Sequence, residues 1–335
     1  MSVEELIQLR REGLYCPAGD FYIDPSKRVA RAVITHAHGD HAKSGCGRYW
    51  AAASGAGLLR ERLGRAATIE ATPYGQRFTL GGTQVSLHPA GHILGSAQVR
   101  IEHEGRVWVV SGDYKRDADP SCEPFEVVPC DVFVTESTFA MPAHQWPQPE
   151  TVAQEIFDWW QACKHDGRTA VLFCYALGKA QRVLAELARH TDETVCLHPS
   201  MNALVRIYRK AGIKLLPTVA VGNLPKGTNF AGRLVLAPPG AGGTSWMKRF
   251  APYVTGFASG WMGESGSRRL AAYDRGFVLS DHADWDALLR TVNETGARRV
   301  LTMHGDADAL LVVLREQGIN AGKLEKPPAA IAAIA

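Results

Sequence analysis

The chain has 335 residues, 46% of them apolar and 21% charged. That is room for one large domain or two ordinary ones with a sizeable core, and it excludes a disordered or low-complexity protein. The net charge of +3 does not prove a nucleic-acid partner, but it excludes the strongly acidic balance that would repel phosphates.

Seven cysteines, at positions 16, 46, 122, 130, 163, 174 and 196, never form a CxxC pair. Reduced thiols are therefore expected, in place of a disulfide framework or a structural zinc knot. The opening stretch MSVEELIQLRREGLY has no apolar signal segment, and no run is long enough to cross a bilayer. A cytoplasmic protein with no membrane partner is the expectation.

The first 140 residues read as short strands punctuated by Gly and Pro, at 31–35, 84–88, 98–102, 107–111 and 132–135. Loops rich in functional side chains follow the strand ends. A Pro-rich stretch at 141–150, MPAHQWPQPE, is a candidate linker. Beyond it the texture alternates between helix and strand: an amphipathic helix at 150–164, a strand at 169–174, a helix at 178–190, then strands at 194–197 and 233–237. That alternation predicts a parallel α/β sheet. The stretches 237–244 and 255–267 read as loops over a site. Strands at 276–279 and 299–302, each followed by a His-bearing loop, return to the opening style, as a domain inserted within a domain would.

The segment Thr35-His36-Ala37-His38-Gly39-Asp40-His41 follows the first of these strands. In extended chain, residues i and i+2 point the same way, so His36 and His38 can converge on one ion. Asp40 and His41 are adjacent and diverge, which suits a second ion, and Gly39 lets the backbone turn between the pairs. Imidazole and carboxylate without thiolate suit zinc, manganese or iron in a catalytic site with an open position. His92 in AGHILGS, Asp113 in VSGDY and His304 in TMHGD repeat the strand-end setting. A carboxylate at Asp113 can bridge two ions.

These residues resemble the metallo-β-lactamase superfamily, whose metal motifs HxHxDH, GH and SGD occur here in the usual order. Asp24, in YIDP, matches the early Asp that supports the metal loop. Within the superfamily, Thr135-Glu136-Ser137-Thr138-Phe139, Ser280-Asp281-His282 and Met303-His304-Gly305 resemble motifs A, B and C of the β-CASP nucleases. GKAQR at 178–182 resembles that family's GxxQ helix start, and LAPPG at 236–240 its loop before the last inserted helix.

The resemblance implies an αββα sandwich of residues 1–140 with 276–335, interrupted by an inserted α/β domain at 141–275, with the site in the cleft between them. It implies two divalent ions, zinc with manganese as the alternative. His36, His38 and His92 would hold one, Asp40, His41 and His304 the other, and Asp113 both. Catalysis would fall to Asp113, to Glu136 and to His282, the acid that protonates the leaving oxygen.

Substrate grip is expected from Lys179 and Arg182 at a helix start, from Arg268, Arg269 and Arg275, and from Trp261 stacking on bases. Phe257 could stack as well, but core packing is its better reading. Among the β-CASP nucleases the chain most resembles the bacterial ligase-associated DNA damage response exonucleases, compact members of about this size. The expectation is thus a DNA-repair exonuclease acting on single-stranded or end-processed DNA, partnered by a DNA ligase or helicase. His304 resembles the RNA-processing branch, so a ribonuclease like ribonuclease J or the mRNA 3′-end cleavage nuclease is the alternative. A small-molecule metallo-hydrolase would lack the insertion and its GxxQ helix, and a non-enzymatic scaffold would have lost metal ligands.

Overall fold

The computed structural model describes residues 5–263 and 272–325, which form a mixed α/β protein of three sheets. The first sheet takes its strands in chain order: β1 Gln8–Arg10, β2 Gly13–Cys16, β3 Phe21–Ile23, β4 Arg31–Val33, β5 Arg48–Ala52 and β6 Ile69–Thr72. The second contains β7 Phe78–Leu80, β8 Thr83–Pro89, β9 Ala97–His103, β10 Arg106–Val110 and β11 Val132–Glu136. The third contains β12 Thr169–Phe173, β13 Val195–Leu197, β14 Thr218–Ala220, β15 Leu234–Ala237, β16 Tyr253–Ala258 and β17 Arg275–Phe277. Then β18 Arg299–Met303 and β19 Asn320–Lys323 return to the second sheet, where β18 lies parallel to β11.

Alternation along the strands sorts the side chains into layers. Cys16, Phe21, Ile23 and Val33 of the first sheet share a core with Val85, Val99, Trp108 and Val134 of the second. The opposite face of the second sheet, Val109, Phe133 and Val300, packs on helices α5 Trp285–Thr295 and α6 Asp308–Glu316. The outer face of the first sheet, Ala32, Tyr49 and Ala51, is covered by α1 Ala56–Leu63 and by Tyr208 of α4 Asn202–Lys210. The third sheet is parallel throughout, and its central strands β12, β13 and β15 are buried on both faces and read as nearly continuous apolar runs. Helices α2 Pro149–His165 and α3 Lys179–Leu187 cover one of those faces.

Three expectations are corrected. The segment 255–267, read as loop, begins inside β16, where Phe257 is 5% exposed and stacked on Tyr273. The strand expected at 276–279 is β17, an edge of the third sheet instead of a return to the first style. Phe277 ties it there by packing on Trp159. The Pro-rich stretch 141–150 is strapped down: Trp146 donates from Nε1 to the His282 carbonyl at 2.9 Å and from its backbone N–H to Asp284 Oδ2 at 3.1 Å. Among the described residues no helix is long and apolar enough to cross a membrane.

Candidate metal centre and acid–base pair

The loop after β4 is shaped by Asp24, which accepts from both the backbone N–H (2.8 Å) and the hydroxyl of Thr35. The strand therefore ends at Val33, and the chain turns so that His36 and His38 face one point. Gly112, at φ +57°, brings the β10 end equally close, because a methyl there would meet Thr35 Cβ at 2.6 Å. Asp113 thereby reaches the histidines.

Donor atoms of His36, His38, His92 and Asp113 all lie within 4.8 Å of one another. His36 Nε2 is 3.0 Å from His38 Nδ1, His92 Nε2 is 3.1 Å from the same atom, and Asp113 Oδ2 is 3.5 Å from His36 Nε2. Ligands about 2.0–2.1 Å from a tetrahedral ion sit roughly 3.4 Å apart, so the cluster fits one.

The outward nitrogens are committed in a way that sets each tautomer. His38 Nε2–H donates to the Leu177 carbonyl at 3.2 Å, His92 Nδ1–H to the Asp281 carbonyl at 2.7 Å, and His41 Nδ1–H to Asp24 Oδ2 at 2.7 Å. The Thr35 hydroxyl hydrogen goes to Asp24, so its oxygen accepts from His36 Nδ1–H at 3.0 Å. Every lone pair facing the centre is left available. Burial pushes His36, His38 and His92 below the ordinary imidazole range, which favours the neutral, metal-binding form.

The second ligand set is looser. His41 Nε2 lies 3.5 Å from Asp113 Oδ2 and 3.7 Å from Asp40 Oδ2, whose side chain is 82% exposed. His304 is exposed on a turn at φ +62°, its ring 5.8 Å from that of His41.

Beside the cluster, His282 Nδ1 lies 2.8 Å from Glu136 Oε2. Glu136 is buried at the end of β11, where it also accepts from the Tyr114 N–H and the Thr138 hydroxyl, both at 2.6 Å. Burial opposes charge on His282, but Glu136 outweighs it and lifts the imidazole to about 9. The pair borders the metal ligands, with the His282 ring 4.8 Å from that of His92 and both partners near Asp113.

All of this opens on a cavity of about 650 Å³ between the His-bearing loops, α3, α4 and the turn after β16. Trp261, Phe139 and Tyr175 line it, with Trp261 and Phe139 rings 4.6 Å apart. Two of the expected phosphate contacts are corrected. Arg182 is 2% exposed and faces Asp119 (3.4 Å) and Asp281 (3.3 Å), so it is an internal ion pair. Lys179 borders the cavity, but its ammonium is held by Asp281 at 2.7 Å, and burial pushes it down to about 8. Arg275 is exposed with its guanidinium against Phe277. Arg268 and Arg269 lie outside the described residues. Sequence reasoning missed Tyr175, Arg62 and the buried Lys115–Asp119 pair.

No family model matches the chain. Over 92% of its length it is 33% identical to a probable DNA ligase of Opitutus terrae, but it spans only 30% of that protein. Over 35% of its length it is 34% identical to endoribonuclease ysh-1 of Neurospora crassa, of which it spans 14%. It is 33% identical over the same share to endoribonuclease ysh1 of Schizosaccharomyces pombe, of which it spans 15%. A crystal structure of a protein of unknown function from Enterococcus faecalis shares the fold, with a TM-score of 0.59 over 82% of this chain and 75% of that one, at 13% identity.

Proposed function

We propose that the chain is a metal-dependent phosphodiester hydrolase, a nuclease of the β-CASP group of the metallo-β-lactamase superfamily. In this reading residues 1–140 and the segment after β17 form the metallo-β-lactamase part, and the insertion runs from 141 through β17, past the boundary at 276 expected from sequence, because β17 pairs with β16. The observation that carries it is the Glu136–His282 pair set against the His36, His38, His92 and Asp113 cluster across one shared carboxylate. A metal hydrolase acting on a good leaving group has no need of such a pair, whereas expulsion of a sugar oxygen does. The endoribonuclease-named relatives support the same class of reaction.

His36, His38 and His92 would hold one ion, Asp40, His41 and His304 a second, and Asp113 both, with Asp24 fixing the loop. Divalent ions, zinc or manganese, would activate water and neutralise charge developing on the phosphate. His282, charged and oriented by Glu136, donates its proton to the departing oxygen. Trp261 and Tyr175 offer faces on which bases stack, which suits a single strand.

DNA is the favoured polymer, because the relative matched across 92% of this chain is named a probable DNA ligase. The reading preferred here is a DNA-repair exonuclease that prepares ends for such a ligase. RNA is the second reading, carried by His304 and by the endoribonuclease-named relatives. The test is a paired assay with 5′-phosphorylated single-stranded DNA and its RNA counterpart, zinc or manganese present, beside Asp113→Ala. Metal-dependent cleavage of DNA that the variant loses supports the reading; no cleavage of either polymer ends it.

A further inference from the structure

Arg62, in the last turn of α1, is placed unlike any other cation around the cavity. Its Nε–H donates to the carbonyl of Ala37, the residue between His36 and His38, which fixes the plane of the guanidinium. The group lies directly over Gly39, where a methyl would come within 2.9 Å of Nη1 and 3.6 Å of Cζ. It lines the cavity beside His38 and Asp40, yet the side chain is exposed. Among the described residues no carboxylate lies within ion-pair reach of it, while Lys179, which also lines the cavity, is already held by Asp281.

A guanidinium with one edge anchored to the protein and the other turned into a cavity presents a preset fork. That fork matches two oxygens of a phosphate diester, and preorganisation lowers the entropy lost on binding. A substrate carrying one charge would find its phosphate at the metal ligands and leave Arg62 without a partner. A polymer brings a second phosphate next to the first. We propose that Arg62 is a phosphate clamp, which grips the backbone phosphate neighbouring the one cleaved and holds the strand across the His38–Asp40 side of the site. The inference rests on the nuclease reading and adds to it a positioning residue that does not touch the reacting atoms.

The test measures binding of a fluorescent single-stranded DNA oligonucleotide, and of its RNA counterpart, to the full chain. A chelator keeps the strands intact, and Kd is followed across a salt series. Arg62→Gln is expected to weaken binding about tenfold for both polymers. It should also reduce the slope of log Kd against log salt by about one. Arg62→Lys keeps the charge without the fork, so the slope should stay while affinity falls part of the way. In the metal-loaded assay Arg62→Gln should raise KM and leave kcat unchanged. Affinity lost by Arg62→Gln with an unchanged slope would mean that Arg62 only braces the metal loop, and that overturns the proposal. So does wild-type binding by Arg62→Gln, and if the wild type still cleaves in that case, the nuclease reading survives. A wild type that neither binds nor cleaves either polymer removes both.

Discussion

Asp24 Oδ2 lies 2.7 Å from His41 Nδ1, and the same carboxylate accepts both donors of Thr35. One half-buried acid therefore orients His41 directly and His36 through the Thr35 hydroxyl, so two imidazoles from different ligand sets depend on it.

Asp24→Ala should accordingly weaken metal binding about 10–100-fold, the range found for partners that orient metal ligands. Competition against a chromophoric chelator measures this. Unchanged affinity would show that the loop holds its own shape without Asp24.

The Glu136–His282 pair predicts a dependence on the leaving group. Glu136→Gln and His282→Ala should lower kcat on nucleic acid by about 10²–10⁴, the usual contribution of a general acid. On bis(p-nitrophenyl) phosphate, whose leaving group departs unprotonated, the loss should be far smaller. Equal losses on both substrates would place His282 in metal binding and not in proton donation.

Asp119 is buried between Lys115 and Arg182, which hold its carboxyl below the ordinary range although burial acts to raise it. A carboxylate with a lowered folded-state pKa contributes stability that is complete above the unfolded value of about 3.9. That contribution is lost as pH falls through the lower, folded value. Urea midpoints should therefore drop on acidification below about pH 4. Asp119→Asn should cost roughly 3–5 kcal/mol at neutral pH, because buried Lys115 loses its carboxylate and Arg182 keeps only Asp281, and its acid slope should be flatter.

This ion network also explains what could be read in advance. His36, His38, Asp40 and His41 were legible because two-residue periodicity at a strand end is local, and β4, β8 to β12 and β15 because they are long or apolar. Lys179 and Arg182 looked like phosphate contacts since nothing near them in the chain shows a partner. Asp281 is about a hundred positions away and Asp119 about sixty, and only the packed fold brings them together. Arg62 was passed over for the reverse reason. A helical arginine looks like any solvated one until the Ala37 carbonyl is seen beneath it. Strands of three residues such as β1, β3 and β7 are too short to show a period. The strand at the start of 255–267 is masked by the Gly and Ser around it, although Phe257 reads as core and is buried there.

Everything in this mechanism depends on the histidine and aspartate cluster holding divalent metal. Its most direct test is the metal content of the purified chain by mass spectrometry, with His38→Ala and Asp113→Ala prepared alongside. Two zinc or manganese ions are expected per wild-type chain, with a clear deficit in His38→Ala and the larger loss in Asp113→Ala, which serves both sets. A wild-type chain that carries no stoichiometric metal and takes up none on dialysis would contradict it.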